Sequence, residues 1–378
     1  MKEVCIVSAR RTPTGRFLGS LARESAVDLA SHAGEAALSD FDRSKIDQVI
    51  IGNILSAGQG MNIARQIGVK LGLPITTPAF TVNMMCASGM QAIALAVQAI
   101  RAEAASVVLC GGTESMSNAP HLMPRSRSGI KLGDGKLVDS ILKDGLVDSF
   151  DHQHMATTAE RLAEKYNISR EEQDSFAHQS QARYQAAQEA GAFSDELVPL
   201  ESLAVDEHPR AETTKESLAA LKPAFDPAGS VTAGNASGLN DGATMLLIAD
   251  RETAEANDWT VMAVISGTAS VGCDPREMGL GPVFACQKLG QPLDAFDAIE
   301  INEAFAAQVL ACLREMKLDP GRINSNGGAI AMGHPVGASG ARLVAHLASR
   351  IHRREAASGL ATLCVGGGMG SAISLIKS

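Results

Sequence analysis

Two cysteines and one histidine stand beside glycines, where bare backbone can approach a reactive side chain. His334 lies in Asn326-Gly-Gly-Ala-Ile-Ala-Met-Gly-His-Pro-Val-Gly-Ala-Ser-Gly-Ala-Arg342, seventeen residues that hold five glycines. Pro335 pushes His334 toward extended geometry. The helix-compatible run Ala341–Arg350 follows, so His334 precedes a helix N-terminus, whose positive end disfavours imidazolium. A neutral imidazole there can act as a base. Cys86 follows the apolar run Ala79–Met84 and precedes Ala87-Ser-Gly89, a position at a helix start where the dipole and free N–H groups would stabilise a thiolate. Cys364 ends the run Gly359-Leu-Ala-Thr-Leu and is followed by Val-Gly-Gly-Gly-Met-Gly370, whose glycines let backbone N–H groups point at what it faces. Asn302, in Asn302-Glu-Ala-Phe305, can orient a water or a carbonyl. Each piece alone also fits a structural role: a glycine-rich turn, a buried free cysteine, a polar strand end. His154-Met155 and Ser237, in Ala233–Gly242, fit surface or capping roles equally well. A thiol nucleophile that needs a histidine base is the chemistry that would unite them.

The elements that must position these residues alternate. Val4–Ser8, Asp47–Asn53, Ala79–Met84 and Ser106–Cys110 read as buried strands; Ser25–Leu38, Asn62–Leu71 and Met90–Glu103 read as helices. This order implies a mostly parallel sheet with helices on both faces. Met90–Glu103 is apolar on nearly every side and should be buried. The texture changes beyond residue 115: prolines gather, and Ser169-Arg-Glu-Glu172 forms a capping box that opens a surface helix running to Gly191. From about residue 240 the core texture returns and repeats. Asp47–Asn53 is echoed by Asp297–Asn302, Ala87-Ser-Gly89 by Ala338-Ser-Gly340, and Val107–Gly112 by Ala361–Gly368, which makes Cys110 the mate of Cys364. The expected organisation is an N-terminal core half over 1–115 completed by about 240–260, an inserted loop domain over 116–239, and a C-terminal core half over 261–378. A site is expected where the halves meet.

Of the 378 residues, 45% are hydrophobic and 20% charged, so the chain is globular. A net charge of −9 argues against nucleic acid or an anionic membrane as the main partner. Cys5, Cys86, Cys110, Cys273, Cys286, Cys312 and Cys364 are scattered and contain no C-x-x-C pair. That pattern is neither a disulfide framework nor a zinc site, and it fits a reducing, cytoplasmic setting. The stretch Met1–Arg10 lacks the h-region and cleavage site expected of a signal peptide, and no apolar run approaches membrane-spanning length.

Taken together, Cys86 in C-A-S-G, Asn302 in N-E-A-F, His334 in G-H-P-x-G-A-S-G and Cys364 in C-x-G-G-G-M-G resemble the thiolases. The resemblance runs from Arg10-Arg-Thr-Pro-Thr-Gly15 to the C-terminus, with the motifs in the family's order. It implies a five-layered α-β-α-β-α fold of two duplicated halves plus a loop domain. His154-Met155 and the Ala233–Gly242 stretch look most like the biosynthetic, short-chain branch, which interconverts acetyl-CoA and acetoacetyl-CoA. Cys86 would be the nucleophile, His334 its base, and Cys364 the second acid/base. Backbone N–H groups of Cys86 and Gly366 would hold one oxyanion, and His334 with a water oriented by Asn302 the other. CoA would enter as substrate, with no tightly bound cofactor and no metal. Leu146, His154, Met155, Arg210, Ser217, Phe225, Ala233 and Ser237 would meet CoA; Met278, Ala304 and Phe305 would shape the acyl pocket. Ala156, where relatives commonly have glycine, would trim that pocket. His121–Gly135 resembles the family's tetramerisation loop, which implies a homotetramer, or otherwise a homodimer. The alternatives are a 3-ketoacyl-CoA thiolase for longer chains, and a non-catalytic acyl-CoA-binding protein on the same fold. A thiol redox enzyme lacks the close cysteine pair it needs.

Overall fold

Helix starts follow local chemistry. Ser25 and Ser169 each accept a backbone N–H three residues on, while Asp28 and Glu172 reach back to the cap, closing two capping boxes. The computed structural model describes residues 2–378. The chain begins β1 (Val4–Arg11), β2 (Gly15–Arg16), α1 (Ala26–Ala37), β3 (Gln48–Gly52), α2 (Ile63–Lys70), β4 (Ala79–Val82), α3 (Ser88–Arg101) and β5 (Val107–Ser115). A long excursion follows, carrying β6 (His121–Leu122), β7 (Val138–Asp139), α4 (Met155–Lys165), α5 (Arg170–Glu189) and α6 (Lys215–Ala219). The chain returns as β8 (Asn240–Asp250) and α7 (Arg251–Ala256). It then repeats the opening order with β9 (Ala263–Gly272), α8 (Gly281–Leu289), β10 (Ala298–Ile301), α9 (Ala306–Met316), α10 (Ala329–Met332), α11 (Val336–His352), β11 (Ser358–Val365) and β12 (Met369–Ile376).

The strands run β10-β11-β12-β9-β1-β8-β5-β3-β4, with β2 on the side of β8. The two halves meet where β1 pairs with β9, Cys5 opposite Val264 and Ile6 opposite Ala263. Each half has the same pairing logic: β3 and β5 are parallel and β5 and β8 antiparallel, as β10 and β11 are parallel and β11 and β12 antiparallel. Between the two wings lie α3 and α11, whose apolar residues share one buried cluster with the inner faces of both. Outside one wing α1 and α2 pack on Val49, Ile51 and Leu247; outside the other, α8 and α9 pack on Ile299, Ile301 and Ala372. The result is five layers, helices outside and between two sheet wings.

The central helices approach so closely that glycine is required. A Cβ on Gly89 would lie 2.9 Å from the Gly337 carbonyl oxygen and from the Ala341 Cβ, and one on Gly340 would lie 2.7 Å from the Met90 Cβ. Real Cβ atoms do not tolerate such contacts against backbone, so a methyl at either position would force the layers apart.

Four expectations need correction. The sheet is mixed, not mostly parallel: β3–β4, β3–β5 and β10–β11 pair parallel, whereas β1–β8, β1–β9, β2–β8, β5–β8, β9–β12 and β11–β12 pair antiparallel, because short turns such as the one over residues 366–368 can join antiparallel neighbours alone. Helix α11 starts at Val336, five residues earlier than the alanine-rich run suggested, so Gly337 and Ala338-Ser-Gly340 form its first turns. Helix α5 is not a pure surface helix: Gln173, Asp174, Phe176, Ser180 and Tyr184 are buried, and the Ser180 hydroxyl donates to Glu303 at 2.6 Å. The cysteine echo is out of register. Asp47 accepts the N–H groups of Ser106 and Val107, and Asp297 those of Ala357 and Ser358, which aligns the two frames. In that alignment Ile50 faces Cys110 as Glu300 faces Ala361. The counterpart of Cys110 is therefore Ala361, and that of Cys364 is Thr113.

Candidate active site

Cys86 stands on a tight turn between β4 and α3. Met85 before it holds a left-handed backbone (φ 46), which a non-glycine residue adopts only when its surroundings impose it. The Ser88 hydroxyl fastens the turn by accepting from Met84 N–H at 2.9 Å and donating to the Met85 carbonyl at 2.7 Å. His334 sits in the loop before α11. Its own N–H donates to Asn240 Oδ1 at 2.9 Å, a partner 94 positions away in sequence. Its Nδ1 lies 2.5 Å from Ser339 Oγ, and that hydroxyl donates to the Pro335 carbonyl at 3.0 Å. With the hydroxyl proton assigned to Pro335, Ser339 accepts from Nδ1–H, which leaves Nε2 as the basic nitrogen. Asn302 Nδ2 stands 3.4 Å from that Nε2, and Asn302 Oδ1 is buried with no partner among the described residues.

Cys364 is the penultimate residue of β11 and is 1% exposed. Beyond it the chain turns through Gly366, Gly367 (φ 84) and Gly368 (φ 83). A Cβ at Gly368 would fall 2.5 Å from the Cys273 carbonyl oxygen, so only glycine lets the turn fold back. The turn brings the Gly366 N–H to the Cys86 sulfur.

These groups share one cavity of about 590 Å³. All the expected site residues line it except Asn302, which lies behind His334, and Ser217, which borders an adjoining cavity of about 240 Å³. Ser217 Oγ donates to the Thr214 carbonyl and accepts its N–H, so this hydroxyl caps its own helix, α6. Arg210 is exposed and lines both cavities. His154 caps α4 by accepting the Ala156 N–H at its Nδ1 (3.1 Å) and stacks on Phe225 with ring centroids 4.4 Å apart. Ser237 donates to the Ala304 carbonyl at 3.1 Å, tying the Ala233–Gly242 loop to the strand end that carries Asn302. Met278, Ala304 and Phe305 form an apolar wall with Met155 and Cys364. Ala156 does not reach the cavity; it is fully buried within the α4 packing and trims nothing.

The electrostatics overturn one expectation. Cys86 has the Gly366 N–H and its own N–H near the sulfur, which favour the thiolate, but burial outweighs them and pushes the thiol up to about 11. Burial, with the Arg342 guanidinium adding to it, pulls His334 down to about 3. Both therefore rest neutral, and the thiol depends on a base rather than on the helix dipole. Cys364 is pushed further still above the usual thiol range, by burial and by the neighbouring thiols.

Several participants escaped the sequence reading. Asn240, Ser339, His208 and Glu114 hold the geometry, and Arg16 and Phe17 line the cavity. Glu114 is buried and accepts N–H bonds from Ile54 (3.0 Å), Leu55 (3.1 Å) and Gly337 (3.1 Å), the last in the first turn of α11. Ser339 and Asn240 lay inside motifs already singled out; the signal was present but their partners were not visible.

Comparison with known proteins agrees over the full length. The chain matches the thiolase N-terminal domain over residues 4–252 and the thiolase C-terminal domain over residues 259–377. It is 49% identical to an acetyl-CoA acetyltransferase of Pseudomonas aeruginosa, covering 100% of both chains. Among solved structures, human mitochondrial 3-ketoacyl-CoA thiolase in complex with CoA superposes with a TM-score of 0.97 at 45% identity, covering 100% of this chain and 98% of that one. The acetyl-CoA acetyltransferase of Bacillus anthracis gives 0.96 at 40% identity, covering 100% and 99%. Two wings in the same strand order, a cavity between them and full-length matches at this identity lead to one conclusion: the chain belongs to the thiolase family.

Proposed function

We propose that this thiolase is an acetyl-CoA C-acetyltransferase. It condenses two acetyl-CoA to acetoacetyl-CoA and CoA, and runs the reverse thiolysis, through an acetyl group on Cys86. The observation that carries this reading is two thiols and one neutral imidazole on a single cavity, with the Gly366 N–H at the nucleophilic sulfur. The acetyl-CoA acetyltransferases among its relatives support the same choice.

The proton bookkeeping is consistent with the geometry. His334 Nε2 takes the Cys86 proton as the sulfur attacks the thioester carbonyl, and the oxyanion meets the N–H groups of Cys86 and Gly366. The departing CoA sulfur takes its proton from Cys364, which becomes a thiolate while His334 remains imidazolium. Cys364 then removes a proton from the methyl of a second acetyl-CoA. The resulting carbanion attacks the acetyl carbonyl, with its own enolate oxygen facing His334 and a water oriented by Asn302. Cys86 leaves as a thiolate and recovers its proton from His334. Thiolysis reverses each step, with Cys364 deprotonating CoA. Low dielectric disfavours the transient thiolate and imidazolium singly but strengthens their mutual attraction.

In this reading Met278, Ala304 and Phe305 bound the acyl group. Leu146, His154, Met155, Phe225, Ala233 and Ser237 flank the pantetheine arm, and Arg210 meets a phosphate, with Ser217 at the adjoining cavity. The excursion over 116–239 then serves as the CoA-binding unit between the core halves 1–115, completed by about 240–260, and 261–378. Exposed Met123, Ile130, Leu132 and Leu137 around the β6–β7 hairpin support assembly into a tetramer of this chain, acting in the cytoplasm.

The test is to incubate the protein with acetyl-CoA and map the adduct by mass spectrometry, then to assay a chain-length series of 3-ketoacyl-CoAs with CoA. An acetyl group on Cys86 and activity concentrated on acetoacetyl-CoA are expected. No adduct at Cys86 would remove it as nucleophile. Preference for longer chains would make the protein a 3-ketoacyl-CoA thiolase.

A further inference from the structure

The backbone of His334 is held by a single side chain, and that side chain is itself held from two directions. Asn240 Oδ1 accepts the His334 N–H at 2.9 Å. Asn240 Nδ2 donates to the Gly15 carbonyl at 2.9 Å and faces His208 Nδ1 at 3.2 Å. The amide orientation is fixed by its neighbours. The His334 N–H needs an acceptor and the Gly15 carbonyl needs a donor, so a flipped amide would oppose both. Nδ2 can only donate, so His208 Nδ1 must be the acceptor, and the ring carries its proton on Nε2.

Glycines close this arrangement from both ends. Gly333, at φ 102, sits so near the Asn240 amide that a Cβ would come within 2.7 Å of it. A Cβ on Gly238 would lie 2.3 Å from His208 Cε1. The ring therefore has little room to turn away. His208 is partly buried in the wall that the catalytic cavity shares with the adjoining one. Burial, then the positive charges of Arg210 and Arg16, pull it down to about 4, against the smaller opposite pull of Asp206 and Glu207. Nδ1 is thereby kept free to accept. Nε2–H has no protein partner among the described residues.

We propose that His208 is a positioning residue for the acyl-transfer base: by accepting from Asn240 it latches the amide that holds the His334 backbone in the cavity it shares with Cys86. The role in catalysis rests on the function proposed above; the latch itself does not. Its mechanism is direct. Without an acceptor at His208 Nδ1, one Asn240 proton is left unsatisfied in a partly buried site, the amide is free to tilt toward another partner, and the His334 loop loses its fixed depth.

The experiment compares the wild type with His208→Ala, His208→Asn and His208→Gln. Asparagine places an acceptor oxygen where Nδ1 stands; glutamine moves the amide one methylene further and does not. Expected for Ala and Gln is a roughly 3- to 10-fold fall in kcat for acetoacetyl-CoA thiolysis, the worth of one buried hydrogen bond. The rate of Cys86 alkylation by iodoacetamide without substrate should fall in parallel, while Tm stays within about 2 °C. Asparagine should recover most of both rates. The latch is overturned if Ala leaves both rates within twofold of the wild type, or if Asn does no better than Ala. A wild type that alkylates at Cys86 with the expected variant pattern but cleaves no acetoacetyl-CoA would leave the latch standing and refute the proposed function.

Discussion

Strands β5 and β11 each carry a cysteine followed by glycines, and only one of the two faces the cavity. Cys110 lies mid-strand, opposite Ile50 on β3 and Leu246 on β8, fully buried among aliphatic side chains. Cys364 lies beyond the last pairing with β10, at the level where the sheet ends and the glycine turn begins. Three residues along a strand separate an inert thiol from one that can exchange protons with a ligand. At the position equivalent to Cys364 the first half has Thr113, whose hydroxyl donates to the Ala26 carbonyl at 2.8 Å and whose carbonyl accepts from Asn53 at 3.1 Å. The same place in the frame fastens structure in one half and faces the cavity in the other. The reverse holds at the helix starts. Cys86, the proposed nucleophile, precedes α3, while its counterpart Gly337 gives its N–H to Glu114. Each half has specialised where the other kept a structural bond, so the site needs both.

The largest effect expected from this contrast is at Cys364. Replacing it with alanine should lower kcat for condensation and thiolysis by roughly 10³-fold, the usual loss on removing a positioned acid/base. Mass spectrometry should still find an acetyl group on Cys86 after incubation with acetyl-CoA. Unchanged condensation would mean that the strand-end thiol is as idle as Cys110.

The contrast also shows what spacing can reveal. Cys86, Asn302, His334, Cys364 and Gly366 were legible because each sits in a short run whose glycines or small residues announce a close backbone approach. So was the duplication, because buried strands and helix starts leave local patterns. Register is not legible: two Leu-Cys pairs before glycines suggest one alignment, whereas Asp47 and Asp297, bonding to backbone about sixty positions away, set another. Asn240, Glu114 and His208 were hidden for the same reason, since their bonds to His334 N–H, Gly337 N–H and Asn240 are made by the fold. The thiolate expected at Cys86 failed because a dipole argument omits burial, which is known only once the cavity exists.

That failure yields a pH prediction. With the thiol pushed up and the imidazole pulled down, neither charged form is populated near neutrality. With neutral His334 taking the proton, alkylation of Cys86 by iodoacetamide should stay nearly flat from roughly pH 6 to 8.5 in the wild type, and in His334→Ala it should climb about tenfold per pH unit, as an unassisted thiol titrating above that range does. A thiolate stabilised by the helix start alone would instead give a flat rate in the variant as well. A plateau in His334→Ala would show that the helix start, not the base, sets the reactivity.

Ser88 and Ser339 occupy matching places in α3 and α11, and each reaches back to fasten the loop before its helix. Ser339 governs the tautomer of His334, whereas Ser88 holds the turn at Met85. Ser339→Ala should lower kcat about tenfold with little change in Tm, because His334 Nδ1–H loses its acceptor and Nε2 is no longer reserved as the base. Ser88→Ala should cost about 1–3 kcal/mol of stability, because it leaves the Met84 N–H without its acceptor and the Met85 carbonyl with the Ser88 N–H alone, around a left-handed residue. If the two variants behaved alike in thermal melts and in kcat, the division of labour between the halves would be wrong.

The smallest effect is expected at Cys110, and it probes the register correction most directly. Burial alone lifts this thiol far above its ordinary range, and no polar partner offsets it, so it acts as a small apolar side chain. Removing its sulfur as Cys110→Ala should cost about 1 kcal/mol, comparable to one buried methylene, and leave kcat within twofold. A thermal melt and a steady-state assay suffice. A large loss of activity without a matching loss of stability would mean that Cys110 communicates with the cavity after all, and the alignment of Cys364 with Thr113 would then need another explanation.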